Sequence, residues 1–345
     1  MPVPKVSICL PNLNNRPFLE ERLASIFSQT LSDWELIVVD NFSDDGAWEL
    51  LQYHATKESR MRISQAPRAG MYANWNNCLR QVRGEYVYIA TSDDTMVPSC
   101  LATLSAGLDR YPTCQIAACA LDIIGLDGRK ESAPFRWEDQ PSVRFMDDWI
   151  TRSHIRPAPH DGLLAFALQC PYTSMTQVLI RRQALTRIGE FSTEFGPFAD
   201  LEWQMRAGLM GDCLYVPEHL ATWRVYAGQG SALGYDIAWQ DGTFVRMGAS
   251  ALSHVRLYDE ERFIDLDVGL LGSFYRERTL SARLALCDSR VEKIQIGGRG
   301  LFDYPVAAIK HLWRTLCRRH GEYEAQTLAE LKREIQRLEA SPRNL

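Results

Sequence analysis

The chain has no apolar run near the roughly 18 residues needed to cross a bilayer as a helix. The apolar stretch at its start, Val6 to Leu10, is too short for the core of a secretory signal, so a cytoplasmic location is the expectation. It has no surplus of positive charge either. Lys and Arg number 38 against 43 Asp and Glu, a formal net charge of −5, which argues against nucleic acid as a partner. None of the nine cysteines forms a Cys-x-x-Cys pair or a Cys/His cluster at zinc spacing. Scattered through apolar segments, they read as buried free thiols of a reducing compartment. No Gly-x-Gly-x-x-Gly follows the first apolar run, and neither a P-loop nor a Gly-x-Ser-x-Gly elbow occurs. Nicotinamide oxidoreductases, P-loop enzymes and α/β-hydrolases lose their signatures together.

What is present is an ordinary globular composition, 46% hydrophobic and 23% charged over 345 residues, enough for one large domain and an appendage. Residues 1–120 alternate short apolar runs with amphipathic stretches, the pattern of an α/β sheet flanked by helices. Strands are predicted at Val6–Leu10, Glu35–Asp40, Arg62–Ser64, Tyr86–Ala90 and Gln115–Leu121. Helices are predicted from Pro17 and over Asp44–Tyr53, Met71–Val82 and Pro98–Tyr111. From Pro134 to Asp161 the periodicity is lost, predicting a long surface excursion. Regular elements return at Thr176–Ile180, Arg182–Ile188, Asp200–Leu209 and Cys213–Val216. Residues 1–230 are expected to form the main domain and 231–345 a mainly helical extension. Within that extension Val306–His320 is basic and amphipathic, able to lie in a membrane interface or to pack on the body. Leu328, Leu331, Ile335 and Leu338 recur at helical spacing for about two heptads, a stripe that packs on the body or pairs two chains.

Four places combine a predicted strand end or helix start with a charged group, and open α/β sheets bind ligands at the carboxyl ends of their strands. Asp40 ends one strand, where it can accept hydrogen bonds from a nucleobase or ribose, or close its own turn. Asp93 and Asp94 follow another. Adjacent carboxylates repel each other unless a cation neutralises them, and hard oxygen ligands suit a divalent metal that would steady a departing diphosphate. Asp200, at a helix start beside Phe198, Leu201 and Trp203, is a candidate general base or a helix cap. Arg224 can clamp phosphate or form a surface ion pair.

In order and spacing these pieces resemble the family 2 glycosyltransferases of the GT-A fold. Val6-Ser7-Ile8-Cys9-Leu10-Pro11-Asn12-Leu13-Asn14-Asn15 resembles that family's first strand and nucleotide loop. Ser25-Ile26-Phe27-Ser28-Gln29-Thr30, followed by Trp34-Glu35-Leu36-Ile37-Val38-Val39-Asp40, matches the next helix and strand. Gly84-Glu85-Tyr86 leading to Ser92-Asp93-Asp94 resembles the approach to the acidic motif. Ile188-Gly189-Glu190-Phe191 before Asp200, then Tyr215-Val216-Pro217 and Trp223-Arg224, resembles the acceptor half. The likeness covers about residues 4–230, with 1–120 as the nucleotide-sugar half and 121–230 as the acceptor half.

The resemblance implies a Rossmann-like mixed sheet and an inverting, metal-assisted hexosyltransferase of polysaccharide assembly. It implies a nucleotide-sugar donor, a UDP-sugar favoured, and a glycan or lipid-linked saccharide acceptor. Pro11 and Leu13 would line the base and Asp40 would contact base or ribose. Asp93 and Asp94 would hold Mn²⁺ or Mg²⁺ with the diphosphate, Asp94 as the more direct ligand, and Asp200 would deprotonate the acceptor hydroxyl. Thr91, Asn41-Phe42, Ala199 and Tyr226 depart from the residues common in the family at those positions. Ala199 and Tyr226 support the alternative, a catalytically inactive nucleotide-sugar-binding relative that scaffolds a glycan-assembly complex. If the 306–320 helix touches membrane, the protein sits on the inner face of the plasma membrane with a lipid-linked acceptor.

Overall fold

Val6–Asn12 (β1) runs parallel to Trp34–Asp40 (β2) on one side and to Tyr86–Ile89 (β4) on the other, and β2 runs parallel to Met61–Gln65 (β3). The structure, a computed structural model, describes residues 3–168, 171–227, 229, 237–259 and 320–345. Val178–Arg181 (β7) lies antiparallel between β4 and Cys114–Ile124 (β5), and β5 runs parallel to Asp212–Arg224 (β8). His154–Arg156 (β6) and Arg343–Asn344 (β9) complete the sheet, which among the described residues has nine strands in the order β3-β2-β1-β4-β7-β5-β8-β6-β9.

Both faces of this sheet are covered, which is why its central strands carry apolar residues at consecutive positions. On β1 and β2, Ile8, Leu10, Leu36 and Val38 face one helical layer while Cys9, Ile37 and Val39 face the other. The first layer holds Arg16–Phe27 (α1), Ala47–Ala55 (α2) and Cys100–Arg110 (α4), with Leu19, Leu23 and Ile26 of α1 fully buried. The second holds Met71–Leu79 (α3), His160–Leu168 (α6), Ala199–Met210 (α8) and part of Ile237–Arg256 (α9). The α/β mixed sheet expected from sequence is the architecture found.

Two expectations need correction. The excursion at 134–161 is structured: it contains short 3-10 turns, the helix Pro141–Met146 (α5) and β6, and it buries Trp137, Val143 and Met146. Polar and aromatic residues mix there without a repeat, so its burial has no periodic signature. The strand expected at Cys213–Val216 extends to Arg224, a consequence of its long pairing with β5. Arg182–Ile188 (α7) is as expected. In His320–Arg337 (α10), Leu331 and Ile335 are buried in the main core with Leu328 and the following Leu338 packed beside them, so that stripe faces the body. The basic stretch 306–320 lies, but for His320, outside the described residues, as do Cys170, Cys287 and Cys317. The other six cysteines are buried and free. No described helix is long and apolar enough to cross a membrane.

The crossing of α6 and α8 in the second layer depends on two glycines. A Cβ on Gly208 of α8 would lie 2.2 Å from the Gly162 nitrogen and 2.5 Å from the Asp161 carbonyl carbon of α6. Backbone cannot yield as a side chain can, so Gly208→Ala is expected to cost about 1–3 kcal/mol in urea unfolding. Gly107→Ala is the control. Its Cβ meets the movable Leu214 side chain at 2.5 Å, and the helix-propensity gain of up to about 1 kcal/mol offsets the crowding.

Candidate active site

Because β1, β2 and β4 are parallel, their carboxyl ends converge on one edge, and the end of β8 arrives at the same edge. A cavity of about 660 Å³ opens there. Pro11 to Asn15, Asn41 and Arg68 line one part of it, Thr91 to Asp94 another, and Tyr72, Phe198 and Asp200 a third. Of the residues expected from sequence, the fold therefore gathers Pro11, Leu13, Asp93, Asp94 and Asp200 around one space. Asp40 and Arg224 are not on its wall.

The acidic pair is buried unequally, Asp93 being half-buried and Asp94 nearly removed from water. Asp94 is 1% exposed, and both of its oxygens are engaged. Oδ1 accepts the Arg224 backbone N–H at 2.7 Å; Oδ2 accepts the Thr91 hydroxyl and, at 3.3 Å, that of Ser174. Burial, and then the neighbouring Asp93 carboxylate, push Asp94 up to about 7. Asp93 is raised by burial too, against the Tyr226 hydroxyl that donates to its Oδ2 at 3.2 Å. Among the described residues Tyr226 is the side chain that bonds the Asp93 carboxylate, so Asp93 is the freer of the two for a ligand. Asp94, expected from sequence as the more direct ligand, points from the strand end inward, toward β8. No group of three or more His, Cys, Asp or Glu that could hold a metal occurs among the described residues. Two hard-oxygen carboxylates without a third protein partner suit a cation that completes its shell with phosphate oxygens and water.

The Asp40 and Arg224 side chains are taken up by protein partners. The fully buried Asp40 carboxylate accepts Asn12 Nδ2 at 2.8 Å, Ser43 N at 2.9 Å and Ser43 Oγ at 2.5 Å, joining the loops after β1 and β2. The cavity wall at this point is its neighbour Asn41, whose amide donates to the carbonyls of Ala66 and Pro67. Arg224 is 2% exposed. Its guanidinium donates to the carbonyls of Asp93 at 2.8 Å, Gly125 at 3.3 Å and Leu126 at 2.9 Å, and to Glu21 at 2.6 Å. The fork that could have clamped phosphate instead ties the acidic loop, the end of β5 and α1 together.

Asp200 stands in the first turn of α8, half-buried on the cavity wall. Its Oδ1 accepts the Leu201 N–H at 2.9 Å and the Tyr72 hydroxyl at 2.8 Å. Loss of contact with water raises its pKa, and those two donors oppose the rise. Glu202, the other acid of this turn, is buried and committed to Arg206 and Ser250. Sequence reasoning passed over Tyr72, which read only as part of a helix. A contact spanning 128 positions leaves no local pattern.

The family model described as "Glycosyl transferase family 2" matches residues 7–188. The Mycobacterium tuberculosis protein MT1568 is 27% identical over 226 residues, 64% of this chain and 67% of that protein. The Campylobacter jejuni GalNAc(5)-diNAcBac-PP-undecaprenol beta-1,3-glucosyltransferase is 33% identical over 104 residues, 30% of this chain and 34% of its own length. Among solved structures, S. aureus TarS 1-349 in complex with UDP-GlcNAc superposes with a TM-score of 0.62 at 16% identity, over 96% of this chain and 91% of that one. Mannosyltransferase PcManGT from Pyrobaculum calidifontis, in complex with GDP-Man and Mn²⁺, gives 0.52 at 21% identity over 90% and 87%. At such identities the structures speak to the fold.

The raised Asp94 carboxyl sets a pH dependence. A folded-state value near 7, above the ordinary 3.8, means that the folded protein binds the extra proton between those limits. The stabilising contribution of the protonated Asp94 in the metal-free protein is therefore expected to be lost as pH rises from about 4 to 7. This gives a downward component of the stability profile, on which carboxylates held low, such as Glu35 and Asp122, act in the opposite sense. Asp94→Asn should flatten that slope, read from urea midpoints at half-unit intervals. An unchanged slope would assign it to other groups.

Proposed function

The chain belongs to glycosyl transferase family 2, and on that premise we propose that it transfers a sugar, with inversion, from a nucleotide-sugar to a hydroxyl of a glycan or lipid-linked saccharide in cell-surface polysaccharide synthesis. The observation that carries this reading is the single cavity in which the acidic pair and Asp200 meet at the carboxyl ends of the strands. A UDP-sugar is the favoured donor, in line with the ligand of the TarS structure, and the undecaprenol-linked acceptor in the Campylobacter enzyme's name supports a lipid-linked one. Among the described residues the cavity's lining runs from 11 to 229, which supports a catalytic unit within residues 1–230.

In this reading Pro11, Leu13 and Asn41 bound the base, and Leu13, 41% exposed, gives it an apolar surface. Asp93, with Asp94 behind it, would hold Mn²⁺ or Mg²⁺. Bound there, the ion would neutralise charge on the departing diphosphate. Asp200 takes the proton of the acceptor hydroxyl as that oxygen bonds the anomeric carbon, and the bond to the diphosphate breaks on the opposite face. Its raised pKa brings the carboxylate closer to working pH, where a general base is most effective. Arg224 holds the acidic loop from behind, and Tyr226 steadies the Asp93 carboxylate.

A thermal-shift panel of UDP, GDP, dTDP and CMP, with and without Mn²⁺, tests the donor site. One nucleotide at a hundredfold excess over its Kd should add about 2.7 kcal/mol, a shift of a few degrees that requires the metal. Asp93→Asn should abolish the metal-dependent part; an undiminished shift would remove Asp93 from the metal site. Asp200→Asn should keep that shift and lower turnover of the matching nucleotide-sugar by at least about 10²-fold. Turnover retained in Asp200→Asn would deny Asp200 the role of base.

A further inference from the structure

The loop that delivers Asp200 is fastened to α3, a helix of the nucleotide half. Tyr72, Asn76 and Arg80 recur every four residues and so share one face of α3 and its C-cap. All three reach the segment before α8. Arg80 pairs with Glu190 at 2.5 Å on the surface. The buried Asn76 amide brackets Phe191, donating to its carbonyl at 2.8 Å and accepting its N–H at 2.9 Å. Tyr72 donates its hydroxyl toward the Pro197 carbonyl at 2.9 Å and Asp200 Oδ1 at 2.8 Å. The Tyr72 ring is itself held. It is 4% exposed, lies 5.1 Å from Trp75 and 5.7 Å from Phe191, and Phe191 stacks on Trp203 of α8 at 5.1 Å.

We infer that Tyr72 is a positioning residue for the reaction: its hydroxyl fixes the Asp200 carboxylate toward the acceptor and keeps it ionised, so that a helix on the donor side sets the acceptor base. This rests on Asp200 being that base. The chemistry is specific, because a phenol donates more strongly to a carboxylate than to a protonated carboxyl, so the bond favours the ionised form. Of the three contacts, Tyr72 alone touches the carboxyl; Asn76 and Arg80 hold the backbone that carries it. The same α3 turn lines the donor cavity through Met71, Asn74 and Trp75, and Asn74 donates to the Val39 carbonyl at the end of β2 at 2.9 Å. One rigid helix thus spans from the nucleotide loops to the base.

The test is titration of the full-length protein carrying [4-¹³C]aspartate, followed by NMR, with the Asp200 resonance identified by its loss in Asp200→Asn. Tyr72→Phe keeps the ring in its aromatic setting and removes only the hydroxyl. The Asp200 midpoint is expected to rise by about one pH unit, a tenfold change in its protonation equilibrium. Turnover of the nucleotide-sugar found in the thermal-shift panel should fall about tenfold, with its acidic limb displaced upward and UDP-type nucleotide affinity unchanged. A merely structural tyrosine would lower the melting temperature and leave the midpoint in place. An Asp200 midpoint that does not move in Tyr72→Phe overturns the inference. Full turnover by Asp200→Asn would instead overturn the base assignment, and the NMR result tells the two failures apart.

Discussion

Two carboxylates side by side, one buried and one half-buried, are the constraint around which this molecule is arranged. Desolvating one charge is costly, and desolvating two of the same sign is more so unless donors and cations surround them. Asp94 meets that demand with a backbone N–H from the end of β8 and hydroxyls from Thr91 and Ser174. The positive field comes from two buried arginines of different elements. Arg22 of α1 lies 5.7 Å over the Tyr88 ring, and it and Arg224 hold Asp93 lower than burial alone would leave it. Satisfying one strand end thus draws in α1, the end of β5 and the end of β8, and that convergence closes the floor of the cavity.

Within this frame, rigid and reactive groups separate by the direction in which side chains leave the strand ends. Asp40 and Arg224 turn inward and bind loops to one another. Asp93, Asp94, Asn41 and Asp200 border the space, Asp94 with both oxygens already engaged. A buried ionic cluster farther along the sheet, Arg156 with Asp161 at 2.6 Å, has a comparable structural character: Tyr172 and His160 complete the hydrogen bonding of Asp161, and none of the four lines the cavity. Charge burial in this protein is therefore not itself a mark of the site; burial beside an opening is.

Much of the fold was legible in the chain because the central strands are covered on both faces, and consecutive Val, Ile and Leu residues at Leu36 to Val39 announce that directly. The carboxylates were legible because they follow such runs. What could not be read was side-chain direction. Arg224 advertises a charge in sequence, yet whether its fork meets phosphate or three carbonyls is decided by loops a hundred residues away. Asp93 and Asp94 are indistinguishable as letters, and the geometry of one turn makes the first the more available. Tyr72 carries no local signal, since an aromatic residue on an amphipathic helix is ordinary core until its hydroxyl is seen to reach Asp200. The segment at 134–161 hid its order because its elements are too short to show a period.

The departures at Ala199 and Tyr226 acquire a physical meaning from their places. Ala199 is fully buried at the start of α8, packed in the main core, so an acid there would need a compensating partner that the surrounding apolar residues do not provide. The Asp200 carboxylate is instead bonded from the other side, by a hydroxyl on α3. Tyr226 lines the cavity with its ring 5.2 Å from Phe18 and its hydroxyl on Asp93. Burial and the Asp93 charge keep that phenol protonated, so it acts as a neutral donor. A neutral donor beside an acidic pair steadies the carboxylate without competing for its charge. Each departure is thus matched by a contact that serves the neighbouring carboxylate, and the support that these positions gave to a binding-only scaffold weakens accordingly.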